Sequence, residues 1–151
     1  MTQDFAMEME GRITSMGNAY DDFAKAEGIP ARVFDIVCVL WENPAGISQK
    51  AIAAQTWLPK QTVSAKVLAL IEEGTAELGK NPADGRSSLV SLTAEGRRRF
   101  QPVMDRLARC EQAATQALTR QERELLLSAT ARWTQAFNDA AAAQHRSAQQ
   151  G

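Results

Sequence analysis

The chain has 151 residues, a formal net charge of −1 and only two cysteines, Cys38 and Cys110. This length suits one domain, or a small domain with helical arms. The two distant cysteines argue against a disulfide framework and a structural zinc site. The longest unbroken apolar run, Ile36–Trp41, is too short to span a bilayer. The acidic amino terminus has no basic-then-apolar leader, so the sequence predicts a cytoplasmic protein without membrane contact.

The positive charge is concentrated in the middle of the chain. Residues 1–45 carry three basic and eight acidic side chains, whereas residues 46–100 carry eight basic and five acidic ones. A local excess of this kind is compatible with nucleic-acid binding, although charged runs are usually solvated faces.

Two helices are predicted at the amino-terminal end. An amphipathic helix over residues 3–27 is indicated by apolar residues at three- and four-residue steps, namely Phe5, Met9, Ile13, Met16, Tyr20 and Phe23. Gly28-Ile29-Pro30 ends it. Residues 31–42 are apolar nearly all round, which predicts a second, buried helix, and Asn43-Pro44-Ala45-Gly46 is a turn.

The central segment predicts a winged helix-turn-helix. Ser48 is an N-cap for one short helix, and Pro59 lies in the first turn of the next, which Gly74 ends. That second helix has an apolar stripe, Val63, Val67, Leu70 and Ile71. Strands over Thr75–Lys80 and Arg86–Leu92 flank a turn with the residues Asn81-Pro82-Ala83-Asp84-Gly85.

The carboxy-terminal third predicts two further helices. Thr93 caps a helix from Ala94, in which Pro102 predicts a kink near Arg98 or Arg99. Thr119 and Glu122 form a capping box that opens the last helix, and the tail after Ala143 is predicted to be mobile. The apolar stripes of the terminal helices are broader than a core of about 60 residues needs. A homodimer would bury them.

These elements resemble the MarR family of bacterial transcriptional regulators. The resemblance rests on Thr62-Val63-Ser64, on Glu72-Glu73-Gly74 and on Asp84-x-Arg86-x-x-x-Val90-x-Leu92-Thr93-x-x-Gly96. It implies a mainly α fold with a small β-wing and a winged helix-turn-helix over residues 30–100. Residues 1–29 and 101–151 would supply the dimerisation helices. It also implies a homodimer on a pseudo-palindromic operator, commonly a repressor released by a small-molecule or oxidative signal.

The resemblance assigns the residues that would contact double-stranded DNA. It implies that Pro59–Lys66 enters the major groove and that Asp84 supports a wing-tip arginine in the minor groove. The predicted DNA-binding residues are Lys60, Gln61, Thr62, Ser64, Lys66 and Arg86. A glutamine can pair with adenine through two hydrogen bonds, lysines on the helix flanks meet phosphates, and narrow minor grooves attract arginine. Lys66 could instead extend beside the apolar stripe.

Three positions depart from the family pattern. Trp57 stands in the turn where many relatives carry glycine, and Pro59 replaces the usual serine N-cap. Ala65 replaces a frequent arginine, which removes one expected DNA contact and leaves a methyl group that could touch thymine.

Two alternatives to this function are compatible with the sequence. One alternative is a redox-sensing regulator using Cys110, near Arg106 and Arg109; another is a protein-interaction module that uses the winged helix without DNA. Cys38 is predicted to be an inert core residue. The single histidine, His145, lies in the tail, and no phosphate loop or catalytic constellation is present, so no enzyme, metal or cofactor is expected. Five aromatic residues are expected in the core, in an interface or around an unassigned effector pocket. They are Tyr20, Phe23, Phe34, Trp41 and Trp57.

Overall fold

The structure is a computed structural model that describes residues 2–85 and 88–148, with the backbone alone for residues 2, 3, 147 and 148. Residues 1–105 and 106–151 form two compact units, which are described separately. Within the described ranges the elements are α1 (Thr2–Ala26), α2 (Ala31–Glu42), β1 (Ile47–Ser48), α3 (Gln49–Thr56), α4 (Lys60–Glu72), β2 (Ala76–Lys80), β3 (Ser88–Leu92), α5 (Ala94–Gln116) and α6 (Arg120–Ala148). The predicted mainly α class with a small sheet is confirmed.

The core of the first unit is built around α2. Ile36 and Leu40 are fully buried there, together with Ile52 of α3, Val63 of α4 and Val90 of β3. Four other side chains of α2, those of Val33, Cys38, Val39 and Trp41, are only half-buried. The prediction of burial all round α2 was therefore too strong, because a helix at the edge of a small core retains one side near solvent.

The wing is a three-stranded antiparallel sheet in the order β1-β3-β2. Val90 in the central strand pairs with Ile47 on one side and Leu78 on the other. The sequence predicted two strands only, because two residues are too few to show the alternation that marks a strand. Leu78 is exposed although it shares the face of buried Ala76, since the hairpin extends beyond the core.

Helix α4 ends at a joint with the sheet and α5. The amide of Thr75 donates to the Leu70 carbonyl at 2.9 Å and that of Gly74 to the Ile71 carbonyl at 2.9 Å, with Gly74 at φ 73°. This is a Schellman ending, which satisfies the last carbonyls of a helix. The Thr75 hydroxyl, in a side chain that is fully buried, donates to the Leu70 carbonyl at 3.0 Å.

The same joint fixes the start of α5. The Thr93 amide donates to the Thr75 carbonyl at 3.1 Å. The Thr93 hydroxyl donates to the Gly74 carbonyl at 2.7 Å and accepts from the Gly96 amide at 3.0 Å. The predicted Thr93 cap is therefore confirmed, and it holds α5 against the end of α4. We call Gly74, Thr75, Thr93 and Gly96 the α4–α5 joint.

The second unit differs from the sequence prediction at its end. The capping box is confirmed: Thr119 Oγ1 accepts from the Glu122 amide at 3.2 Å, and the Glu122 carboxylate accepts from the Thr119 amide at 2.7 Å. That backbone bond, with a second from the Thr119 hydroxyl, lowers the pKa of Glu122. Helix α6 continues to Ala148, so the predicted mobile tail after Ala143 was wrong over this range. Alanine, glutamine and arginine favour helix, and His145 and Arg146 suit its carboxy-terminal dipole.

Helix α5 runs without interruption through Pro102, from Ala94 to Gln116. A proline removes one backbone hydrogen bond but need not end a long helix whose buried side chains hold it in place. Phe100, Val103 and Met104 are buried apolar residues of this part of α5. The kink near Arg98 or Arg99 stays a prediction.

The α4–α5 joint yields a stability prediction. A β-carbon on Gly96 would lie 1.9 Å from the Thr75 carbonyl oxygen. Gly96→Ala should therefore lower the free energy of unfolding by about 1–3 kcal/mol, although Gly to Ala within a helix ordinarily stabilises. Urea denaturation measures the change.

Gly79→Ala in β2 is the matched control, because its added β-carbon meets nothing nearer than 4.0 Å. Its unfolding free energy should stay within roughly 0.5 kcal/mol of the parent. Equal stability of Gly96→Ala and the parent would show that the joint is looser than described.

Candidate nucleic-acid interface

Helix α4 has one fully buried side, and this fixes which residues it shows to solvent. Val63, Val67 and Leu70 are buried. The exposed residues are Lys60, Gln61, Ser64, Ala65 and Leu68, with Glu72 at the end of the helix, and we call the first five the recognition face. Of the predicted DNA-binding residues on α4, Lys60, Gln61 and Ser64 thus lie on the recognition face. Thr62 and Lys66 are half-buried at its sides.

The first turn of α4 has free backbone donors. Pro59 is the N-cap, at φ −56° and ψ 142°, and provides no side-chain cap. The sequence predicted Pro59 inside the first turn of α4, whereas its extended ψ puts it one position earlier. The Val63 amide bonds to the Pro59 carbonyl at 3.0 Å. The amides of Lys60, Gln61 and Thr62 come before the first hydrogen bond of the helix. Amides in this position can donate hydrogen bonds to an anion.

The starts of α3 and α4 meet at one cleft. It has a volume of about 390 Å³ and is lined by Gln49, Lys50, Lys60, Gln61 and Ser64. The N-cap of α3 is confirmed, since Ser48 Oγ accepts from the Ala51 amide at 3.2 Å. Neither first turn contains an acidic residue. The cleft is therefore positively charged.

Sequence reasoning missed two residues of this cleft, Gln49 and Lys50. A signal was present, because lysine opposes the helix dipole in the first turn, where acidic residues are preferred. Lys50 occupies such a position, two residues after its N-cap. Its charge leaves the cleft suited to an anion.

The turn between α3 and α4 is ordered by Thr56. Its hydroxyl donates to the Ile52 carbonyl at 2.8 Å and accepts from the Leu58 amide at 3.4 Å. Trp57 follows in the left-handed conformation, at φ 57° and ψ 16°. Its side chain is 91% exposed, which excludes the core among the positions expected for Trp57; a position in an interface or beside an effector stays a prediction.

The tip of the wing is only partly described. The Asn81 side chain accepts from the Ala83 amide at 3.0 Å, which begins the turn, and Asp84 is exposed. Arg86 lies outside the described residues. Its contact with the minor groove and its ion pair with Asp84 therefore stay predictions.

Arg97 is a second candidate group in the first unit, and sequence reasoning missed it. Its guanidinium carbon lies 5.3 Å from the centroid of the Trp41 ring. Its Nη2 atom is buried and has no hydrogen-bond acceptor in the part of the chain that the structure describes. A buried donor in this state calls for a further partner, such as a water molecule or a ligand.

The cysteines lie in different units. Cys38 is half-buried rather than in the core, and Cys110 is exposed. Among residues 2–85 and 88–148, no group of three or more His, Cys, Asp or Glu side chains is placed to hold a metal ion. No helix within those ranges is long and apolar enough to cross a bilayer.

Comparison with solved structures decides the fold. NMB1585, a MarR family regulator from Neisseria meningitidis, superposes with a TM-score of 0.77 at 21% identity, over 88% of this chain and 93% of that one. The chain has the MarR-type winged-helix fold. No protein-family model matches the sequence, and no curated protein does.

Two other proteins with the MarR-type fold were solved with small molecules bound. NadR in complex with 4-hydroxyphenylacetate gives a TM-score of 0.70 at 18% identity, over 84% of this chain and 89% of that one. CouR from Rhodococcus jostii RHA1, bound to p-coumaroyl-CoA, gives a TM-score of 0.70 at 20% identity, over 86% of this chain and 92% of that one.

Proposed function

We propose that the protein is a sequence-specific DNA-binding transcriptional regulator that acts as a homodimer and is released from its operator by a small-molecule effector. The observation that carries this proposal is the recognition face beside a cleft with two lysines, on a helix whose other side is fully buried. Repression is the mode of action that we favour, as the resemblance to MarR regulators implies. In this proposal residues 30–100 bind DNA, and residues 1–29 and 101–151 supply dimer contacts.

The recognition face suits the major groove of double-stranded DNA. A helix fits this groove, and its outward side chains meet base edges. Gln61 can pair with adenine through two hydrogen bonds, and Ala65 offers its methyl group to thymine. Lys50 and Lys60 lie at the two helix starts that line the cleft, where they and the free amides of α4 can hold a phosphate.

The wing would add a second contact. We propose that Arg86 enters the flanking minor groove and that Asp84 orients its guanidinium. Narrow minor grooves concentrate negative potential and attract arginine. Thr62 and Lys66, at the sides of α4, would contact the strand backbone and set affinity more than sequence preference.

Exposed apolar surface on the terminal helices supports a homodimer. On α1, Phe5, Ile13 and Met16 are more than half exposed, and Met16 reaches 62%. On α6, the exposed residues include Leu125, Leu126, Leu127 and Phe137. Apolar residues repeated along one helix are usually covered by a partner. A two-fold dimer would set two α4 helices about 34 Å apart, one turn of DNA.

Arg97 supports an effector with an anionic group. Its buried Nη2 needs an acceptor, and the Trp41 ring beside it offers an apolar surface. A carboxylate or phosphate would fit these needs. Arg97 directly follows Gly96 of the α4–α5 joint, so a ligand held there would shift the population between DNA-binding and non-binding dimers through the end of α4.

DNA recognition is tested by selection from a pool of random duplexes at fixed salt. We expect enrichment of an inverted repeat. Arg86→Ala should bind the selected duplex more weakly, because one minor-groove contact is lost. Arg98→Ala is the matched control: it removes one charge from an exposed side chain that already pairs with Glu95. No enriched repeat, with weak and unchanged binding by all three proteins, would refute sequence recognition.

The effector proposal is tested by thermal unfolding with 4-hydroxyphenylacetate as the first anionic aromatic probe. Binding to the folded state should raise the unfolding temperature of the parent protein. At a ligand concentration of a hundred times Kd, the free energy of unfolding should rise by about 2.7 kcal/mol. Arg97→Met, which keeps an apolar side chain over Trp41, should lose most of the shift. An equal shift in both proteins would exclude Arg97 as the anchor.

A further inference from the structure

Trp57 weakens the free protein in two ways. A non-glycine residue in the left-handed conformation is strained, and Trp57 adopts it at φ 57°. Its indole is 91% exposed, so the ring adds almost nothing to the core. Trp57 is also the sole non-glycine residue with positive φ in the described ranges. Strain at a single exposed residue of this kind is characteristic of binding sites.

The backbone of Trp57 lies close to the start of the recognition face. Trp57 precedes Lys60 by three residues, so their Cα atoms are within roughly 11 Å of each other. The major groove is about 12 Å wide. With the first turn of α4 inside the groove, the turn residue lies at the groove wall. That wall is the sugar–phosphate backbone of one strand.

The backbone around Trp57 is already fixed. The Thr56 hydroxyl bonds to the Ile52 carbonyl and to the Leu58 amide, and Pro59 follows with a restricted φ. A side chain on a rigid turn loses less conformational freedom on binding than one on a mobile loop. The indole is therefore prepared for a contact.

The chemistry of the indole matches the groove wall. It combines a broad apolar ring with one N–H donor and no acceptor. Deoxyribose presents an apolar face next to phosphate oxygens, which accept hydrogen bonds. The adjoining cleft contains Lys50 and Lys60 without an acid in either first turn, which favours a polyanion over a protein surface.

We propose that Trp57 is a DNA-backbone contact: its ring packs on a deoxyribose and its N–H donates to a phosphate oxygen beside the major groove. The contact rests on the proposed DNA-binding function and adds affinity without base preference. It also explains why a strained tryptophan occupies the turn.

The test compares Trp57→Gly and Trp57→Phe with the parent protein, on the selected duplex and on an unrelated duplex of equal length. Trp57→Gly should unfold at no lower temperature than the parent, because glycine adopts positive φ without strain. It should nevertheless bind both duplexes about tenfold more weakly. Trp57→Phe keeps the ring and loses the N–H, so its affinity should be intermediate.

Salt dependence separates this contact from the lysines. The indole carries no charge, so Trp57→Gly should keep the parent slope of log affinity against log salt, whereas Lys60→Ala should reduce that slope by about 0.9. Unchanged affinity of Trp57→Gly would overturn the proposal, and so would a loss confined to the selected duplex. A changed oligomeric state with unchanged DNA affinity would assign Trp57 to a protein contact instead. If the parent protein binds no duplex at all, the DNA-binding function itself fails.

Discussion

The close approach of Gly96 to the Thr75 carbonyl is the constraint on which the winged-helix unit depends. No other amino acid fits at residue 96 without displacing the end of α4, because its β-carbon would overlap the carbonyl oxygen. The Thr93 hydroxyl then closes the joint by donating to Gly74 and accepting from Gly96. The end of α4, the first residue before β2 and the start of α5 are thereby one rigid connection.

This connection and the buried side of α4 together fix the orientation of the helix. One side of the helix is fixed by Val63, Val67 and Leu70 in the core, so the opposite side must face outward along its whole length. The turn before α4 is equally fixed, by Thr56 and Pro59. The recognition face therefore has a set rotation and a set starting point, which a helix reading base edges requires. Arg97 directly follows Gly96 of the joint, so the anion site proposed there would be connected to the end of α4 through the backbone.

Much of the fold was predictable, because its signals are local. The spacing of apolar residues gave α1, α2 and α4, and hydroxyl residues ahead of helices gave the caps at Ser48, Thr93 and Thr119, which the structure confirms. Strand β1 was missed because two residues show no periodicity. The helical end of α6 was missed because its polar composition resembles that of a mobile tail.

The candidate site was less predictable, because it depends on neighbours that are distant in sequence. The apolar stripe of α4 followed from periodicity, and the resemblance to MarR regulators supplied Lys60, Gln61 and Ser64, which the structure places on its exposed side. Lys50 joins them only because the starts of two helices share a cleft. The exposure of Trp57 and the unpartnered Nη2 of Arg97 are properties of packing, which no local pattern reports.

Lysine footprinting tests the central claim most directly. The chain has five lysines, Lys25, Lys50, Lys60, Lys66 and Lys80, so acylation with and without the selected duplex, followed by mass spectrometry, reports on α1, α3, α4 and β2. We expect Lys50 and Lys60 to become protected by DNA, while Lys25 on α1 keeps its reactivity. Protection of Lys25 with Lys50 and Lys60 still reactive would contradict it, and would move the DNA-binding surface away from α4.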